Sequence, residues 1–206
     1  MTETEHANLP AESIRSRTGR ELRAVALAQF ASVGFAATSL QHIADAAGFS
    51  KSSVLYHFAS KEAILTEVLT PAIDHLEKIL DRFVAEPDSV ESRKYFVGDF
   101  IDFVLHYRFE LHTFINQGQS LVGIEVVDRA RALVVRLAAS ICDEQASVED
   151  RLRFGIALGG AAYTLVAGMT YLDDDLAADD DLRPALVTVL TELLAPVSHT
   201  LSRKQP

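Results

Sequence analysis

Within residues 50–61 the chain gathers Ser50, Lys51, Ser52, Ser53, Tyr56, His57 and Lys61, a run of hydrogen-bond donors with two cations. Lysine reaches a phosphate or a guanine edge, short hydroxyls approach bases without steric cost, and Tyr and His donate to phosphate oxygens. That is the chemistry of recognising a polyanion. Catalytic patterns are missing from the sequence: it has no phosphate-cradling glycine loop, paired-cysteine zinc pattern, HExxH or G-x-S-x-G elbow. Asp102 and His106 stand four apart, on one side of a helix, with His112 nearby. This spacing suits a metal but more often marks a hydrogen bond, so no metal and no cofactor is assigned.

Apolar residues recur every three or four positions almost throughout, which predicts an all-α protein. Leu22, Ala26, Phe30 and Val33 form one stripe, with Thr18 and Glu21 at capping-box spacing before it and Gly34 closing it. Leu40, Ile43, Ala44 and Ala47 form a second, short helix, with Thr38 and Gln41 as its cap pair and Gly48 at its end. A third helix starts after Ser50 and runs to Phe58, and a fourth starts after Ser60 and passes Pro71 with a kink. Further helices are expected at 89–107, 109–116, 120–143, 148–170 and 183–201. The aspartate-rich 173–181, DDDLAADDD, reads as a solvated loop.

The stretch 39–58, SLQHIADAAGFSKSSVLYHF, therefore reads as two short helices joined by a tight turn. Ala44 and Ala47 are small where helices cross, Gly48 permits the positive φ that ends the first helix, and Phe49 buries the turn. Ser50 caps the second helix and leaves Lys51, Ser52 and Ser53 on its first turn, the part that a helix-turn-helix inserts into the major groove. Lys61 opens the next helix, where backbone N–H groups attract anions. The charge supports this reading. Residues 13–61 hold six basic and two acidic side chains, whereas the chain after Lys61 holds 13 basic and 24 acidic within a total of −10.

From Arg20 to Leu65, 46 residues, the chain resembles the DNA-binding head of the TetR family of one-component transcriptional regulators. The matching features are Ala26 and Phe30 before Gly34-Phe35, Thr38-Ser39, Ile43-Ala44, Ala47-Gly48, Ser50-Lys51, Tyr56-His57-Phe58 and Lys61-Glu62 with Leu65. The chain departs from the family pattern at Leu55, where many members have tyrosine, and at Ser52-Ser53, often Gly-Thr. The resemblance implies a three-helix head (13–61) and a helical ligand-binding and dimerisation body (62–206). It further implies a homodimer on a palindromic double-stranded operator, repressing until a small-molecule effector releases it. The DNA-contacting set is Thr38, Ser39, Gln41, Ser50, Lys51, Ser52, Ser53, Tyr56, His57 and Lys61.

In the body, aromatic residues suit an apolar effector, and polar residues among them would orient it. The candidate ligand set is Phe100, Phe103, His106, Tyr107, His112, Phe114, Asn116 and Phe154. Gly155, Gly159 and Gly160 cost about 1 kcal/mol each in an isolated helix, which suggests close approach of another helix. The candidate dimer face is accordingly Leu152, Ile156, Gly159, Tyr163 and Val166, with Leu186, Val189, Leu190 and Leu193 on the partner helix.

At 206 residues and 49% hydrophobic, the chain suits an ordinary globular protein. Its single cysteine, Cys142, forms no internal disulfide, and the start MTETEHANLP lacks the parts of an export signal, so a cytoplasmic location is expected. Phe154–Leu172 carries no charge, but its four glycines and the aspartates that follow argue for a buried helix over a membrane span. The competing expectation is a helical enzyme or metal-binding protein with an incidental helix-turn-helix, to be separated by stoichiometric metal on Asp102 and His106 or by turnover. The sign of regulation stays open between repression and activation.

Overall fold

The computed structural model describes residues 11–86, 89–118, 120–141, 147–168 and 180–194, and all regular structure among them is helical. The helices are α1 (Ala11–Ser32), α2 (Leu40–Ala47), α3 (Lys51–His57), α4 (Lys61–Ala85), α5 (Val90–His106), α6 (Arg108–Gln117), α7 (Glu125–Ile141), α8 (Val148–Phe154), α9 (Gly160–Ala167) and α10 (Leu182–Leu193). The described residues form two compact units: one from those up to His75 and within Phe109–Leu133, the other from those within Leu76–Arg108 and from Val134 to Leu194.

The first unit is built on the stripe of α1. Leu22, Ala26 and Phe30 are fully buried with Ile43, Ala44, Val54, Ile64 and Leu65, so α1 is the floor on which α2, α3 and the start of α4 rest. Val33, expected to continue the stripe, lies past the helix end and is exposed. Thr18 is no cap, because α1 begins a full two turns earlier, at Ala11. Gly34 (φ 98°) turns the chain out of α1, and Gly48 (φ 71°) ends α2 with its N–H on the carbonyls of Ala44 and Asp45. Both are left-handed conformations that a side chain would strain.

Two caps differ from expectation. The N-cap of α2 is Ser39, whose hydroxyl accepts from His42 N; Thr38 instead donates its hydroxyl to Gly34 O at 2.8 Å and is buried. Phe49 is half-buried, and Phe35 supplies the buried ring beside Phe30, 5.1 Å between centroids. The helix expected from residue 120 starts only at Glu125, because Gly123 (φ 89°) holds a turn.

In the second unit α5 packs against α9 and α10. Phe96, Phe100 and Phe103 are buried, and their rings run along α5 from Phe83 to Tyr107. The helix expected over 148–170 is interrupted by a π-helical turn at Gly155–Gly159. The i→i+5 bonding shifts the register by one residue, so Ala157 and Leu158 turn inward while Ile156 faces solvent. No described helix is long and apolar enough to cross a membrane. The 142–146, 169–179 and 195–206 stretches, including Cys142 and most of the aspartate run, lie outside the described residues.

Asp102 does not face His106 as a metal ligand. Arg183 of α10 donates Nε to its Oδ1 at 2.6 Å and Nη2 to its Oδ2 at 2.8 Å, fastening α10 to α5. No group of three or more potential ligands occurs among the described residues. The Arg183 hydrogen bonds hold the Asp102 carboxyl below the ordinary carboxylate range; partial burial opposes them, and the Arg183 charge adds a smaller lowering. A carboxylate depressed in the folded state stabilises above its unfolded value, about 3.9, and loses that contribution as pH falls through the folded value. Both side chains are half exposed, so the pair is worth about 1 kcal/mol or less. Replacing Arg183 by Ala is expected to raise the Asp102 titration midpoint in carboxyl NMR and to lower urea stability at pH 7 by no more than about that amount.

Candidate nucleic-acid interface

The second helix of the motif is set up from its own ends. The Ser50 hydroxyl accepts from Ser53 N at 3.1 Å, and the Ser50 and Ser53 hydroxyls are bonded to one another at 2.8 Å. Val54 and Phe58 are buried and seat α3 on the core, which turns Lys51, Ser52, Leu55 and Tyr56 to solvent. Positions 51, 52, 55 and 56 lie on one face of a helix. Tyr56 is 66% exposed although aromatic, with its ring edge-on to His57 at 5.3 Å. The result is a donor-bearing face over a rigid apolar seat.

Several residues expected on this surface have other occupations. Thr38 is buried and closes the α1–α2 turn. Lys61 donates Nζ to the carbonyls of Phe35 at 2.8 Å and Thr38 at 3.1 Å, with its charge 4.4 Å from the centre of the Phe35 ring. An ammonium held by two carbonyls and an aromatic face braces the turn that aims α2 and α3, and does not reach outward. The Ser39 and Ser50 hydroxyls serve as caps, and the half-buried Ser53 is tied to Ser50. Gln41 is exposed and donates to Asp45 at 2.7 Å, a contact that a base or phosphate could exchange. Lys51, Ser52 and Tyr56 are the members that are exposed as expected, while His57 is half-buried.

The residue that sequence reasoning missed is Gln117, at the end of α6. Its Oε1 accepts from Phe35 N and its Nε2 donates to Phe30 O, so one amide satisfies both sides of the α1–α2 turn. Arg131 of α7 donates in turn to Gly118 O. A separation of 82 residues leaves no local signal in the sequence for such a contact.

The other expected sets divide differently. Phe100 and Phe103 are core residues of the second unit, where Tyr107 and Phe154 are half-buried and His106 is exposed with its ring edge-on to Tyr107. His112, Phe114 and Asn116 belong to the first unit, with His112 Nε2 and Asn116 Nδ2 hydrogen-bonded at 3.1 Å. Burial of His112 pushes its pKa down, favouring the neutral ring. Of the expected dimer residues, Leu152, Ile156, Tyr163 and Val189 are 49–60% exposed and Gly159 is exposed, whereas Leu186 and Leu193 are half-buried. Val166 and Leu190 are 1% and 2% exposed and belong to the core of their own unit, Val166 because the π turn rotates the end of α9 inward.

Comparison with known proteins agrees with this geometry. The family profile described as bacterial regulatory proteins, tetR family, matches residues 22–68. The chain is 41% identical over 69 residues to the HTH-type transcriptional repressor KstR2 of Rhodococcus jostii, covering 32% of this chain and 34% of that protein. It is 42% identical over 67 residues to the HTH-type transcriptional regulator RutR of Escherichia coli K12, covering 28% and 32%. Each alignment thus spans about a third of the relative's length. Over most of both chains, 84% and 89%, the fold matches a TetR-family regulator from Streptomyces coelicolor A3 with TM-score 0.67 and 26% identity. The fold also matches the ketosteroid transcriptional regulator KstR2 of Mycobacterium tuberculosis over 85% and 94%, with TM-score 0.61 and 22% identity. A TetR-type DNA-binding head on an all-helical chain is the class that these features define. Residues 22–68 thus resemble the TetR-family head, and the fold as a whole is similar to that of TetR-family regulators.

Two lysines of the motif should separate cleanly. Lys51→Ala is expected to weaken duplex binding and flatten its salt dependence by about one ion, with urea stability unchanged. Lys61→Met is expected to lower urea stability by about 1–3 kcal/mol through the carbonyls it abandons.

Proposed function

We propose that this protein is a homodimeric transcriptional repressor that binds a palindromic duplex operator and is released by a small-molecule effector. The observation that carries the reading is the exposed α3 face of Lys51, Ser52 and Tyr56 above the buried Val54 and Phe58. That face has a cation, a hydroxyl and a phenol, but no carboxylate, at a spacing that fits a major groove. Gln41, Ser39 and His57 flank it. The match of residues 22–68 to the tetR-family model and the similarity of about a third of the chain to a named repressor and a named regulator support the same role. No catalytic role is assigned to any residue, and the cytoplasm is the compartment in which such a regulator meets the chromosome.

The functional division proposed is residues 13–61 for DNA and 62–206 for regulation and pairing. It cuts across the compact units, since α6 is fastened to the head through Gln117. Pairing is assigned to the exposed apolar row of Leu152, Ile156, Gly159 and Tyr163 with Val189 on α10. Bulky apolar groups half open to water at this spacing are stabilised by covering one another in a two-fold arrangement. For the effector, the aromatic character of α5 in the second unit supports an apolar molecule, and the His112–Asn116 pair of the first unit is a separate polar candidate. An effector acts by favouring head spacings other than the about 34–36 Å of successive major-groove faces.

Ile156→Asp is expected to convert the protein to monomers in sedimentation velocity, with helix content retained by circular dichroism. Operator affinity should then fall by at least about tenfold, the equivalent of 1.4 kcal/mol of lost pairing. The central reading is tested by selecting duplexes from a randomised library with the wild-type protein. Recovery of an inverted repeat whose retention falls steeply with salt is the expected result, and recovery of no preferred sequence would overturn it.

A further inference from the structure

The structure assigns a second phosphate-binding position to an open cleft of about 330 Å³ between α1, the end of α3 and α4, beside the proposed groove-reading face and resting on that reading. Arg15, Ser16, Gly19 and Arg23 of α1 face His57 and Phe58 at the end of α3 and Glu67 of α4. Positions 15, 16, 19 and 23 form one side of α1. The His57 ring lies against Gly19, with Nδ1 3.5 Å from where a β-carbon would stand, an ordinary contact distance.

The charges within the cleft are not equivalent. Arg23 is bonded to Glu67 at 2.8 Å, so the inner wall holds a neutralised pair. Arg15 is exposed at the mouth, with its guanidinium carbon 5.0 Å from the centre of the Tyr56 ring. Stacking on an aromatic face keeps a guanidinium in one place while its N–H groups stay available for a phosphate. Tyr56 also belongs to the α3 face that carries Lys51 and Ser52, so Arg15 continues that face onto α1. Ser16 and His57 add a hydroxyl and an imidazole beside it.

The chemistry fits a phosphate group, and the cleft favours a backbone phosphodiester of the duplex flanking the bases read by α3. A phosphodiester carries a single negative charge and stays at the mouth with Arg15. A free phosphate monoester carries about −1.5 to −2 and, once inside, would meet the Glu67 carboxylate. Arg15 thereby widens the footprint by one phosphate on each half-site.

The test uses the full-length protein and a duplex selected by the wild type from a randomised library. Arg15→Ala is expected to weaken binding roughly five- to tenfold and reduce the salt slope by about one, while Arg17→Ala, which removes an arginine paired with Glu21 outside the cleft, leaves both near wild type. Neutral methylphosphonates placed singly at phosphates flanking each half-site should identify one position that costs the wild type affinity and costs Arg15→Ala nothing further. Equal binding by Arg15→Ala and wild type, or equal losses in the two arginine variants, overturns this inference and leaves the operator reading standing. Failure of the wild type to select any duplex overturns both. Stabilisation of the wild type but not Arg15→Ala by millimolar inorganic phosphate, with unchanged duplex binding, would make the cleft a site for free phosphate and overturn its assignment to DNA.

Discussion

The short turn between α1 and α2 is the constraint on which the rest depends. Its backbone leaves the helix through a left-handed glycine, so the carbonyls and N–H groups around Phe30, Gly34, Phe35 and Thr38 need partners outside regular helix. Lys61, Gln117 and the Thr38 hydroxyl supply them. Each comes from a different element, and together they fix how α2 leaves α1 and so where α3 points. A half-buried ammonium between two carbonyls and a ring gives direction as well as stability, because its donors are satisfied in few other arrangements.

Rigidity at that turn explains how a chain of net charge −10 can present a surface for a polyanion. The acidic excess lies after Lys61, whereas the α3 face carries Lys51, Ser52 and Tyr56 beside Leu55 and no carboxylate. Attraction to phosphate falls off within about a Debye length, roughly 8 Å at physiological salt, so local charge at the contact outweighs net charge at a distance. Stiff seating by Val54 and Phe58 keeps those donors in register, and the Ser50 cap leaves the first turn of α3 intact where it must meet bases.

The π turn in the second unit links backbone geometry to surface chemistry in the same way. Gly155, Gly159 and Gly160 weaken the helix locally, and the extra residue per turn separates an exposed apolar row from the buried Ala157, Leu158, Ala161, Leu165 and Val166. A regular helix over that stretch would have left Val166 on the same row as Leu152 and Ile156. The surface available for a second subunit is therefore narrower than helical periodicity implies.

The sequence by itself determined the elements whose causes are local. The buried Leu22, Ala26 and Phe30 of α1, the glycine ends of α1 and α2, the Ser50 cap and the exposed face of Lys51, Ser52 and Tyr56 all follow from spacing of three or four residues and from φ preferences, whereas Val33 falls outside the buried stripe. Tertiary structure decided what long side chains reach. Lys61 looked available to phosphate but turns to carbonyls more than twenty residues back, Asp102 turns from His106 to Arg183, and Arg15 finds the ring of Tyr56. Gln117 had no signal at all, since its partners lie more than eighty residues away. The physical reason is common to all four: helical periodicity fixes which way a side chain leaves the backbone, but its partner is set by whichever unsatisfied group the packed fold brings within reach.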